Sequence, residues 1–234
     1  MRWLASVASA EEIATVLPAV PDILDLKDPS AGALGAWPVP AVARAVRDLR
    51  ARAAAPLASA TVGDLPMEPA RVAAAVSEMA RTGVDYVKVG LIPSGDPLGC
   101  LAELAPLCAT GVQVVAVLFA DFWPEDVPVA AAKQAGLTGV MLDTAMKGRG
   151  LPAHRTADQL RRFVDDARHR GLMTGLAGSL SLTDVPVLAE CGADYLGFRG
   201  ALCGASGRTA AIDPAAVAAV AAAVRAHGTR LRAG

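Results

Sequence analysis

Short apolar runs alternate with longer segments along this chain. The runs fall at 3–7, 22–27, 57–62, 84–90, 112–120, 138–143, 172–178 and 194–200. Runs of this length read as buried strands. Between them, the spacing predicts helices over about 10–18, 38–54, 69–82, 97–109, 125–136, 156–170, 181–191 and 213–227. Pro40, Pro69, Pro97 and Pro214 stand near helix starts, where a missing N–H costs nothing. Gly83, Gly111, Gly136, Gly171 and Gly192 stand just past helix ends, where a left-handed cap needs glycine.

Strands separated by helices form parallel sheets covered on both faces. Spread over 234 residues, eight such units average about 29 residues, near the lower end for a closed barrel. An open doubly wound sheet would carry a Gly-rich turn after its first strand. Residues 6–10 read Ser-Val-Ala-Ser-Ala instead. The expectation is therefore an α/β protein, a single (β/α)8 TIM barrel occupying 1–234 as one domain.

Composition narrows the function. A formal net charge of -1 offers no long-range attraction for nucleic acid or anionic lipid. Any phosphate recognition must be local. Cys100, Cys108, Cys191 and Cys203 form no Cys-x-x-Cys pair, and His154, His169 and His227 lie far apart, so no metal site is expected. No apolar stretch reaches membrane-spanning length, and the N-terminus meets Glu11 and Glu12 before any signal-like run. A cytoplasmic protein with neither membrane nor nucleic-acid partners is expected. Association with copies of itself is left open.

Four of the apolar runs carry charge at or near their ends. Asp25 and Lys27 end the second, Lys88 the fourth and Asp143 the sixth, with Lys147 one short loop beyond and Arg199 at the end of the eighth. Buried carboxylates and lysines are costly unless paired. In a barrel these positions converge on the C-terminal mouth, where the fold carries its chemistry. A lysine whose pKa falls through burial and a cationic neighbour becomes a neutral amine able to attack a carbonyl. Asp25 would orient the Lys27 amine or move protons for it, and Asp143 and Lys147 would form a similar pair. Gly178, Ser179, Arg199, Gly200 and Ala201 follow the last two strands, the usual place for a phosphate in this fold.

The segments Asp25-Leu26-Lys27-Asp28-Pro29, Ser59-Ala60-Thr61-Val62-Gly63-Asp64, Asp85-Tyr86-Val87-Lys88-Val89-Gly90, Met141-Leu142-Asp143-Thr144-Ala145-Met146-Lys147 and Gly197-Phe198-Arg199-Gly200-Ala201 closely resemble the (5-formylfuran-3-yl)methyl phosphate synthase family. This is the 4-HFC-P synthase family of methanofuran biosynthesis. The resemblance implies a cofactor-independent lyase that joins two glyceraldehyde 3-phosphate molecules, with loss of one phosphate and two waters. It also implies a Schiff base on Lys27, with Lys88 as proton acceptor and Asp25, Asp143 and Lys147 as further active-site charges. Shorter segments around 92–99 and 120–127 depart from the family pattern.

Two alternatives stand beside that reading. One is another sugar-phosphate aldolase or decarboxylase on the same barrel. The orotidine-phosphate type of decarboxylase uses Asp-x-Lys-x-x-Asp, and here Ser30 occupies the last position. The other is a non-catalytic phosphate-ligand binder.

Overall fold

A computed structural model describes residues 1–123, 127–146 and 148–230 of the chain. Eight parallel strands close into a barrel in chain order: β1 (Arg2–Val7), β2 (Ile23–Leu26), β3 (Leu57–Thr61), β4 (Tyr86–Leu91), β5 (Val114–Phe119), β6 (Gly139–Asp143), β7 (Met173–Leu176) and β8 (Tyr195–Phe198). Pairing of Ala5 with Phe198 closes β1 on β8. The helices are α1 (Ala10–Val16), α2 (Val39–Arg50), α3 (Pro69–Ala80), α4 (Pro97–Ala109), α5 (Val129–Gln134), α6 (Ala157–His169), α7 (Val185–Glu190) and α8 (Pro214–Arg230). The expected barrel is the observed one.

The helix boundaries follow local chemistry. Pro69, Pro97 and Pro214 are first residues of their helices, and the five predicted cap glycines have φ between 73° and 95°. Thr156 and Gln159 cap α6 reciprocally, each side chain meeting the other's backbone N–H, worth about 1 kcal/mol for such an N-cap. Two helices are shorter than their apolar spacing suggests. α7 begins only at Val185, because Ser181 and Asp184 first cap a tight 3-10 turn over Leu182–Asp184. α5 spans only Val129–Gln134, and the start of its predicted range, 124–126, lies outside the described residues.

Alternation along the strands divides the buried residues into two cores. One lies between sheet and helices and includes Leu24, Val42, Val87 and Val164. The other fills the barrel and includes Leu4, Ile23, Val115, Met141 and Tyr195. Every residue of β5 is buried, as a strand covered on both faces requires. Gly175 makes room at the barrel floor: a Cβ there would stand 2.4 Å from the ring of Tyr195. The apolar floor leaves the other end of the barrel for polar groups.

Candidate active site

The inward face of β2 carries Ile23, Asp25 and, just past its end, Lys27. Asp25 is completely buried. Its carboxylate accepts hydrogen bonds from Ser59 Oγ at 2.7 Å, Ser6 Oγ at 3.0 Å and Lys88 Nζ at 3.0 Å. Register explains the last contact. Asp25 pairs with Ser59 and Ser59 with Tyr86, so Lys88 stands one inward position higher on β4. Its long stem reaches down to the carboxylate. Burial by itself would raise the Asp25 carboxyl, but Lys88, Lys27 and the Ser59 hydrogen bond outweigh it and hold the group below the usual carboxylate range.

This corrects the sequence-based assignment of Asp25 to Lys27. Residues two apart on a strand project side by side about 7 Å apart, and Lys27 extends away into the mouth. Its side chain is buried yet makes no hydrogen bond or ion pair among the described residues. Burial pushes the Lys27 amine below the ordinary lysine range. Asp143 and Asp25 pull it up, while Lys88 and Arg208 push it further down.

Lys27, Lys88 and Asp143 line one cavity of 620 Å³ at the C-terminal mouth, together with Gly178, Ser179, Arg199, Gly200 and Ala201. The described structure therefore gathers these predicted residues around one space. Asp143 accepts the Thr144 N–H at 2.7 Å. Its predicted partner Lys147 lies outside the described residues. Gly178 has φ 104°, and a Cβ there would stand 2.8 Å from the Thr144 backbone nitrogen. Ser179 is also left-handed, with φ 48°. The N–H groups of Gly178, Ser179, Gly200 and Ala201 have no hydrogen bond among the described residues, which suits them to an anion.

Arg199 does not belong with those donors. Its guanidinium turns toward α1 and grips Glu12 through both Nη atoms, at 2.5 and 3.1 Å. Its other contacts are Ser6 O, Arg208 O and Ala210 O. All five N–H donors of a guanidinium are thus engaged, leaving none for phosphate. The partner is Glu12, 187 positions earlier in the chain, so only the closed barrel brings the two together. Sequence reasoning also missed Ser6, whose hydroxyl on β1 completes the Asp25 shell.

Asp121, just past β5, accepts the N–H groups of Ala145 and Met146 and shapes the loop after β6. A more apolar cavity of 440 Å³ lies between α1 and α2 beside Trp37. No lysine lines it. Among the described residues no three His, Cys, Asp or Glu side chains cluster to hold a metal, and no helix is long and apolar enough to cross a membrane.

A closed parallel barrel with a lysine–carboxylate cluster at its C-terminal mouth defines a (β/α)8 barrel whose charged groups gather where this fold carries its sites. A 3-hexulose-6-phosphate synthase shares that fold, with a TM-score of 0.62 and 17% identity over 96% of this chain and 100% of that one. Sequence is more specific. The chain matches 4-HFC-P synthase over residues 3–221 and belongs to that family. A Methylorubrum extorquens protein carrying the provisional name (5-formylfuran-3-yl)methyl phosphate synthase is 45% identical over 96% of this chain and 92% of its own length. The (5-formylfuran-3-yl)methyl phosphate synthase of Methanopyrus kandleri is 36% identical over 86% of this chain and 89% of its own.

Proposed function

We propose that this protein condenses two molecules of glyceraldehyde 3-phosphate to (5-formylfuran-3-yl)methyl phosphate, for methanofuran-type cofactor biosynthesis. One phosphate and two waters leave, which balances the atoms. The observation that carries the reading is the division of labour between two lysines in one cavity. Lys88 is neutralised by Asp25 at 3.0 Å, whereas Lys27 has no such partner among the described residues and a lowered pKa.

Lys27 attacks the aldehyde carbon as a free amine, and the carbinolamine loses water to give a protonated imine. That cation acidifies the adjacent C–H. Loss of this proton lets the C–O bond to phosphate break at the next carbon, with the electron pair leaving on phosphate. Proton transfers fall to Lys88 and Asp143, both on the cavity wall. Lys88 enters these transfers already ion-paired with Asp25. The N–H groups after β7 and β8 hold substrate phosphate and raise the effective concentration of the pair.

Borohydride reduction with glyceraldehyde 3-phosphate tests this directly. Peptide mass spectrometry is expected to find the adduct on Lys27, and Lys27→Ala to abolish both adduct and furan absorbance. An adduct on Lys88 instead would reverse the lysine roles. No adduct on either would remove the imine mechanism.

A further inference from the structure

The cavity holds one more cation, which the steps above do not use. Arg208 is half-buried on the cavity wall, in the segment following β8. Its Nη2 donates to Pro29 O and to Gly32 O at 2.8 Å, in the loop directly after Lys27. The remaining donors, on Nε and Nη1, are unspent among the described residues, and no carboxylate forms an ion pair with the group. Arg199 is the contrast: more deeply buried, but matched by Glu12. Asp143 and Asp64 act on Arg208 only from a distance, and a partly desolvated guanidinium with no carboxylate in contact is costly unless an anion arrives.

The surroundings hold this arginine ready. Arg199 Nε donates to the Arg208 carbonyl at 2.7 Å, fixing its backbone. The loop that receives its side chain is itself tied down. Asp28 N–H donates to Gly35 O at 2.7 Å, and Asp64 accepts the Leu34 N–H at 3.1 Å. Arg208 therefore starts beside Gly200, with the Cβ position of that glycine 3.9 Å away, and crosses to the Lys27 side of the mouth. Arg208 and Lys27 line the same cavity, and the guanidinium acts electrostatically on the Lys27 amine.

We propose that Arg208 binds the phosphate of the aldehyde joined to Lys27, leaving the backbone donors of Gly178, Ser179, Gly200 and Ala201 to the phosphate of the second molecule. Arginine suits this task because its planar donors match phosphate oxygens. The identity of the aldehyde rests on the imine reading above; phosphate binding by Arg208 does not.

The test compares borohydride trapping of glyceraldehyde 3-phosphate with that of unphosphorylated glyceraldehyde. In Arg208→Gln the ratio of the two trapping rates is expected to fall about 10- to 100-fold, the scale of a lost charged hydrogen bond. Using the ratio cancels any change in Lys27 basicity. An unchanged ratio overturns the proposal. If the native protein traps neither aldehyde, the imine reading fails separately, and titration with inorganic phosphate followed by phosphorus NMR decides Arg208. Loss or weakening of one phosphate site in the variant upholds the proposal; identical binding overturns it. Should Arg208→Gln fail to fold by circular dichroism, Arg208→Lys is measured in its place. That variant retains charge but not the planar fork, and the same ratio and titration are expected to shift in the same direction.

Discussion

Lys88 Nζ lies 3.0 Å from Asp25 Oδ2, and both side chains are almost wholly excluded from solvent. The pair crosses β3 and leaves Lys27, just past the end of the strand that carries Asp25, without an ion-pair partner among the described residues. One lysine is therefore ion-paired, while burial lowers the pKa of the other, in a space of a few hundred cubic ångströms.

Removing the carboxylate separates these functions. Asp25→Asn is expected to slow furan formation about 10²–10⁴-fold, the range for a displaced acid–base group. Adduct formation on Lys27 should persist. Parallel assays of product absorbance and borohydride trapping in the folded variant check this, and equal loss of both would refute the division of labour.

The pH dependence of trapping reports Lys27. Only the neutral amine attacks, so the rate rises with pH through the folded-state pKa, which lies below the ordinary 10.5. Asp143 favours the charged lysine. Asp143→Asn is thus expected to move the rising limb to lower pH, and a shift to higher pH would contradict the assigned field.

Stability should carry the opposite signature for Asp25. Its carboxyl is held below 3.8 in the folded protein, so its ionisation stabilises the fold above that pH. The contribution is lost as pH falls further, through the folded value. Urea midpoints measured from neutral pH to pH 2 are expected to show the gap between native protein and Asp25→Asn narrowing on acidification. A gap that widens would be incompatible with a depressed carboxyl.

The Glu12–Arg199 pair predicts a structural effect. Glu12→Ala leaves a buried guanidinium without its carboxylate and strips the acceptor from the Ala8 N–H, at an expected cost of about 3–5 kcal/mol. Replacing both partners, with Glu12→Leu and Arg199→Met, should cost less than Glu12→Ala, because no charge is left stranded. Chemical denaturation of the three proteins decides it.

The order of strands, the cap glycines and the convergence of Lys27, Lys88 and Asp143 were legible in the sequence, because strand and helix periods are local and strand ends meet at one mouth in a barrel. Partnership was not legible. Asp25 stands two residues from Lys27 yet binds Lys88, since strand neighbours on one face point in parallel while Lys88, one inward position higher on β4, reaches back down to the carboxylate. Arg199 has the spacing of a mouth residue, but closure of β8 against β1 puts Glu12 within its reach and spends its donors there. Arg208 ends a Gly-rich loop, 203–208, that reads from sequence equally as a phosphate cover or a surface loop; its crossing to Pro29 and Gly32 exists only once the segments after β8 and β2 face each other. Sequence determined which groups enter the site. Tertiary structure decided which of their charges are already paired, because pairing depends on distances across the barrel that no separation along the chain records.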